Sequence, residues 1–138
     1  MSNPNDWNAK IIKEFRENAG VVGGPFEGMK LLILHTTGAK TGKERVNPVA
    51  TMKENGYYVI IASKGGAPDN PDWYHNLVAN PKISVEVGTE TFEARAEVTE
   101  EPERSELYSK MADEYPGFKE YEQKTERVIP VIKLKPID

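Results

Sequence analysis

The stretch Arg45-Val46-Asn47-Pro48-Val49-Ala50-Thr51-Met52-Lys53-Glu54-Asn55-Gly56-Tyr57-Tyr58-Val59-Ile60-Ile61-Ala62 decides the fold. Two strand-like runs, Arg45 to Lys53 and Tyr57 to Ala62, flank Glu54-Asn55-Gly56. Asn-Gly is the strongest short hairpin signal, because the favoured two-residue turn needs positive φ at both central positions. A second hairpin follows: Ile83, Val85 and Val87 alternate with polar residues, as do Phe92, Ala94, Ala96 and Val98, with Gly88-Thr89-Glu90 between them. Lys30 to Thr37 is a further apolar run. Val128 to Leu134 closes the chain as a strand in which Pro130 marks an edge or a bulge. Six strands joined mostly by hairpins are not a βαβ layout. The expected fold is mainly β with flanking helices (α+β), a closed or split antiparallel barrel with its helices outside.

The helices are read from periodicity. Trp7, Ile11, Phe15 and Ala19 recur every four residues, which gives an amphipathic helix from Trp7 to Asn18. Such a helix packs on its own domain; docking on a membrane surface or a partner is the alternative. Val21 to Gly28 reads as a loop or linker, dividing the chain into 1–28 (helix and linker) and 29–138 (barrel). Asn70-Pro71-Asp72 opens a helix with asparagine as N-cap, proline in the first turn and an acid at the positive end. It carries Trp73, Tyr74, Leu77 and Val78 and stops before Pro81. Glu103 to Tyr115 is a helix with Leu107, Tyr108 and Met111 on one side. Pro116-Gly117 breaks it, and Phe118 to Thr125 adds a turn or two.

A chain of 138 residues is the size of one ordinary domain. It has no cysteine, hence no disulfide, thiolate nucleophile or thiolate metal site. No apolar run approaches the roughly 20 residues that span a bilayer, and the N-terminus lacks a signal-peptide pattern. The expected location is cytoplasmic, with membrane association through the first helix as the alternative. Net charge is −4 and unevenly spread: Lys30 to Gly66 holds six cations against two acids, and Thr99 to Glu126 nine acids against four bases. A basic region within an acidic chain favours a localised anionic ligand over nucleic acid. The two histidines, His35 and His75, have no metal-binding spacing, so no metal is expected. No G-x-S-x-G elbow is present for a serine triad.

Chemistry concentrates in two segments. Thr36-Thr37-Gly38-Ala39-Lys40-Thr41-Gly42-Lys43-Glu44-Arg45-Val46-Asn47-Pro48-Val49 carries two glycines that let backbone amides approach a ligand, with cations beside them. A P-loop is excluded, because the glycines are too close and Glu44 follows Lys43 where a hydroxyl should bind magnesium. Anion binding and a charged hairpin connection fit this segment equally. The second constellation is Ile60-Ile61-Ala62-Ser63-Lys64-Gly65-Gly66 followed by Asn70-Pro71-Asp72-Trp73-Tyr74-His75-Asn76. A strand ends in a loop open to close approach, and a helix N-terminus with free amides follows. Trp73 either offers a flat face to an aromatic ring or anchors the helix in the core. Together the segments suit a flat heterocycle with an anionic tail.

These residues resemble the deazaflavin-dependent nitroreductase family, whose members use coenzyme F420. The matching stretches are Thr36-Thr37-Gly38 through Asn47-Pro48, Ala62 to Gly66, Asn70 to Tyr74, Asn80-Pro81, Tyr115-Pro116 and Ile129-Pro130, in the family's order. The resemblance implies a split β-barrel related to flavin mononucleotide-binding reductases. It implies that Ala39, Lys40 and Thr41, with Arg45, meet the phosphate and glutamate tail. It further implies that Val46, Asn47, Pro48, Val49 and Ala50 line the cofactor. Ile61, Ala62, Ser63 and Lys64, with Asp72, Trp73, Tyr74, His75 and Asn76, would surround the deazaflavin and its ribityl chain. Many relatives carry a cation where this chain has Ala39, which throws tail binding onto Lys40 and Arg45. Phe118 stands where nitroimidazole-reducing members have tyrosine.

The implied function is hydride transfer from F420H2 to a small-molecule acceptor: a quinone, an activated alkene (enone) or a nitroaromatic. The cofactor carries the hydride, so no acid-base cluster is required. Ser63, Tyr74, Tyr115 and Tyr121 are candidates for orienting the acceptor, and Phe118 for its wall, with ordinary helix-to-barrel packing the alternative. A non-catalytic flavin- or deazaflavin-binding module and an FMN-dependent oxidase of the same barrel type are the competing readings. Monomer and homodimer are both open.

Overall fold

Both ends of the sheet belong to one continuous piece of chain, and that fact gives the molecule its curvature. The computed structural model describes residues 4–23, 30–63 and 70–137, with side chains from residue 9 onward. Its elements are α1 (Pro4–Glu17), β1 (Leu31–Thr37), β2 (Glu44–Ala50), β3 (Met52–Glu54), β4 (Tyr57–Ile61), α2 (Asp72–Ala79), β5 (Lys82–Val87), β6 (Glu90–Val98), α3 (Glu103–Glu114), α4 (Gly117–Lys124) and β7 (Val131–Pro136). The strands form a seven-stranded antiparallel sheet ordered β2-β1-β5-β6-β7-β4-β3. The outermost strands, β2 and β3, are separated in sequence by Thr51 alone. The sheet therefore curls into a half-barrel of the split-barrel kind.

Thr51 explains why the single strand expected from Arg45 to Lys53 is two. Ala50 pairs with Leu31 of β1, but Met52 pairs with Val59 of β4. Thr51 is fully buried at this corner. Its N–H donates to the Lys30 carbonyl (2.9 Å) and its hydroxyl to the Val59 carbonyl (2.9 Å). A buried corner is tolerated only when its polar groups are paired in this way. The β3–β4 turn forms as expected, with Asn55 and Gly56 at φ 46 and 85. Pro48 sits on β2 at the end of the strand order, where a missing N–H costs no ladder bond. The last strand differs from expectation. It starts at Val131 and lies inside the sheet between β6 and β4, so Pro130 stands before the strand. Without an N–H, Pro130 contributes only its carbonyl, which accepts from Ala62 N–H at 3.0 Å.

Strand alternation sorts the core into an inner and an outer part. Leu32, Leu34, Tyr58, Ile60, Val85, Ala94, Ile132 and Leu134 share the inner cluster with Trp73 and Leu77 of α2. On the outer side, Val59, Ile61 and Val131 pack with Leu107, Tyr108, Met111, Tyr115 and Phe118 from the α3–α4 region. Leu31 and Ile33 pack with Ile11 and Phe15 of α1. Phe15 is 1% exposed, and burying such a side chain contributes about 1.5–3 kcal/mol. The first helix is thus packed on its own sheet. Among the described residues, no helix is long and apolar enough to cross a membrane.

Candidate functional site

The turn from β1 to β2 is closed by its own backbone. Gly38 N–H donates to the Lys43 carbonyl (2.8 Å), and Gly42 N–H to the Gly38 carbonyl (2.9 Å). Lys43 N–H also reaches Thr41 Oγ1 at 3.2 Å. A side chain at Gly38 would bring its Cβ to 2.6 Å from Thr41 Oγ1 and 3.2 Å from the Lys43 carbonyl oxygen, and Gly42 has φ +70. Both glycines are therefore conditions of this turn, which the sequence pattern left equal between a ligand loop and a plain connection.

Helix α2 lies against the turn, tied by asparagines. Asn76 is 7% exposed; its Oδ1 accepts from Ala39 N–H at 3.0 Å, and its Nδ2 donates to Thr36 Oγ1 at 3.3 Å. Asn80 Nδ2 donates to the Thr37 carbonyl at 3.3 Å. One face of α2 thus holds the turn, while Trp73 and Leu77 fill the inner core. Between turn and helix opens a cleft of about 580 Å³, lined by Gly38, Ala39, Lys40, Thr41, Arg45, Asp72, His75 and Asn76. Among the described residues, Lys40 and Arg45 are the cations of its lining and Asp72 the single carboxylate. Residues 37 positions apart in sequence, Ala39 and Asn76, meet here. The arrangement fits an anion at the turn side, with the carboxylate in the first turn of α2, where it complements the helix dipole.

A family model described as F420H(2)-dependent quinone reductase matches residues 7–136. The chain belongs to that family. It is 36% identical over 124 residues to an F420H(2)-dependent quinone reductase of Mycobacterium tuberculosis, spanning 87% of this chain and 83% of that one. A solved F420-H2 dependent reductase, FDR-A, is 40% identical with a TM-score of 0.70, covering 76% of this chain and 93% of its own. A second solved chain, described as a domain-swapped dimer, is 36% identical with a TM-score of 0.72 and covers 96% and 100%. Membership makes the protein an oxidoreductase that uses coenzyme F420 and passes hydride from F420H2 to a quinone. Of the three functional readings, the enzyme reading stands over the non-catalytic module and the FMN oxidase.

The remaining sequence-predicted residues are distributed by strand alternation. The register sets Arg45, Asn47 and Val49 opposite Thr36, Leu34 and Leu32. Val49 packs on the inner cluster. Val46 and Ala50 pack against the α1 cluster on the other face, and Pro48 shares their parity. The five residues Val46 to Ala50 therefore do not line one surface. Ala62 joins the inner core and Ile61 the α3–α4 cluster for the same reason. Trp73 is 8% exposed, its indole filling the inner core. Tyr74 is half-buried, its ring edge-on to His75 with centroids 5.5 Å apart. Ser63 is buried at the end of β4, and Lys64 lies outside the described residues. Asn70 does not cap α2: the N-cap is Pro71, and the Asn70 side chain accepts instead from Arg127.

The aromatic residues expected beside the acceptor form a packed group. Phe118 is 6% exposed, with its ring centroid 6.3 Å from Tyr108, 6.3 Å from Tyr115 and 5.6 Å from Tyr121. The Tyr115 hydroxyl accepts from Lys30 N–H (3.0 Å) and donates to the Thr51 carbonyl (3.2 Å). Tyr108 donates to the Phe118 carbonyl at 2.5 Å, and burial pushes its phenol up to about 12. Tyr115 is thus spent on the corner that curls the sheet, and none of the group lines the cleft.

A separate polar cluster fastens α1. Arg16 binds Glu86 through both carboxylate oxygens (2.9 and 2.7 Å), and His35 Nε2 lies 2.6 Å from the same group. The Arg16 hydrogen bond, followed by that of His35, holds the Glu86 carboxyl below its usual range against the opposing effect of burial. No group of three or more His, Asp or Glu among the described residues could hold a metal ion.

Proposed function

We propose that the cleft between the residue 38–43 turn and α2 receives the anionic end of coenzyme F420, and that this fixes the deazaflavin for hydride transfer to a quinone. One observation carries the reading: Lys40 and Arg45 share a cleft with the first turn of α2. The donor chemistry fits. Two cations and a glycine-built turn face a space of about 580 Å³, within the ordinary range of about 300–1,000 Å³ for small-molecule sites. Charge-assisted hydrogen bonds from Lys40 and Arg45 would hold phosphate and carboxylate groups. Asn76 keeps the turn and helix in register, so neither has to reorganise when the ligand arrives. Bound and reduced, the deazaflavin supplies the hydride. Ser63, just beyond the end of β4, and Tyr74, on α2, are the groups proposed to orient the quinone. The domain-swapped relative supports a homodimer.

Anaerobic mixing with F420H2 and menadione tests the reading. Oxidation of the cofactor only when protein and quinone are both present is expected. Binding without consumption would mean a carrier, and a yellow protein carrying flavin as purified would mean the FMN oxidase.

A further inference from the structure

Arg127 stands outside every residue assigned so far, yet it joins the end of β4 to the start of α2, the helix that forms one wall of the cleft. Its Nη1 donates to Asn70 Oδ1 at 2.7 Å, and its Nη2 to the carbonyls of Ala62 (3.1 Å) and Ser63 (2.9 Å). Ala62 and Ser63 lie just beyond the end of β4, and Asn70 immediately precedes Pro71, the N-cap of α2. One planar guanidinium therefore spans the end of a strand and the start of a helix. The stretch that carries it is itself pinned. Arg127 N–H donates to Thr125 Oγ1 (3.3 Å), Arg104 Nη1 donates to the Ile129 carbonyl (2.9 Å), and the Pro130 carbonyl accepts from Ala62 N–H (3.0 Å).

The chemistry of the clamp is specific to arginine. A guanidinium offers several donors in a rigid plane and can address an amide oxygen and two peptide carbonyls together. A lysine ammonium supplies the same charge at one point and cannot reproduce that spread. The sequence at Asn70 is suited to capping, and its side chain is diverted to Arg127, so that among the described residues α2 has no side-chain cap. A helix that gives up its cap is held at that end by the clamp.

We propose that Arg127 is a positioning residue of the F420 site. It sets the separation between the end of β4 and the first turn of α2, and through α2 the placement of Asp72, His75 and Asn76 opposite Lys40 and Arg45. The assignment rests on the cleft being the F420 site. It acts through these elements and needs no contact with the cofactor.

The test uses the full chain with Arg127→Lys, Arg127→Ala and Asn70→Ala, reading F420 affinity by titration, kcat and KM for menadione, and thermal unfolding. Displacement of a site by a fraction of an ångström to an ångström costs up to about a hundredfold in rate. Arg127→Lys is expected to keep a near-native melting temperature while losing about tenfold in F420 affinity and kcat/KM. Asn70→Ala should lose about threefold, and the Arg127→Ala, Asn70→Ala pair should be no worse than Arg127→Ala alone, because both break one link. If Arg127→Ala does not fold, Arg127→Lys and Asn70→Ala decide. Wild-type F420 affinity and kcat/KM in both would overturn the assignment of Arg127. Failure of the wild-type protein itself to bind F420 would instead overturn the reading of the cleft.

Discussion

The β1–β2 turn and the α3–α4 aromatic group make opposite uses of their polar atoms. In the turn, backbone groups bond within the turn or to Asn76, while Lys40 and Arg45 line an open cleft. In the aromatic group, the Tyr108 and Tyr115 hydroxyls are turned inward onto backbone, and Phe118 sits among three tyrosine rings. Both regions have residues that could serve a site. What separates them is commitment: a polar atom already satisfied by the fold is not available to a ligand without leaving a buried partner unpaired.

Three substitutions press on that difference. The largest expected effect is in the aromatic group. Phe118→Ala should cost about 3–5 kcal/mol of stability by opening a cavity, seen in urea unfolding, with F420 affinity in the folded fraction unchanged. A large loss of F420 affinity at full stability would move the site toward α4. Next comes Asn76→Ala, which leaves the Ala39 N–H and Thr36 hydroxyl without their partner and should cost about 1–3 kcal/mol. Unlike Phe118→Ala, it should also weaken F420 binding, because the turn loses its hold on α2. Tyr115→Phe removes both the donor to the Thr51 carbonyl and the acceptor of the Lys30 N–H, and should cost about 1–2 kcal/mol. Menadione turnover should not change; a drop of tenfold or more would restore Tyr115 as an acceptor-orienting group.

The smallest effect is one of pH. Glu86 is held below its usual range by Arg16 and His35, so its contribution is present above the unfolded carboxylate value and is lost as pH falls through the lower folded one. Arg16 is largely exposed, which limits the size of this term. Stability should therefore decline on acidification below about pH 4.5, the ordinary carboxylate range, and Glu86→Gln should flatten part of that slope. An unchanged slope in Glu86→Gln would mean that the Arg16–Glu86–His35 cluster adds nothing to the apolar packing of α1.

The hairpins were legible because Asn55-Gly56 and the alternation of β5 and β6 are local signals, and the cationic turn because its glycines are. The break at Thr51 was not, since nothing in one strand's sequence announces that it changes partner. The same non-local fact divides Val46 to Ala50 between two faces. Asn70 reads as a cap because capping is local, whereas its actual partner, Arg127, is 57 residues away. The roles of Asn76 and Asn80 were hidden for the same reason, although asparagines at one-turn spacing on a short helix hint at a polar seam.

The most direct test is an equilibrium titration of the wild-type protein and the Lys40→Ala, Arg45→Ala double variant. The ligands are F420 and the deazaflavin core lacking phosphate and glutamates, each at low and high salt. The cleft account predicts that wild type binds F420 more tightly than the bare core and that salt shrinks this advantage. It also predicts that the double variant binds the two ligands about equally. An advantage for F420 that survives both salt and the double substitution would contradict it.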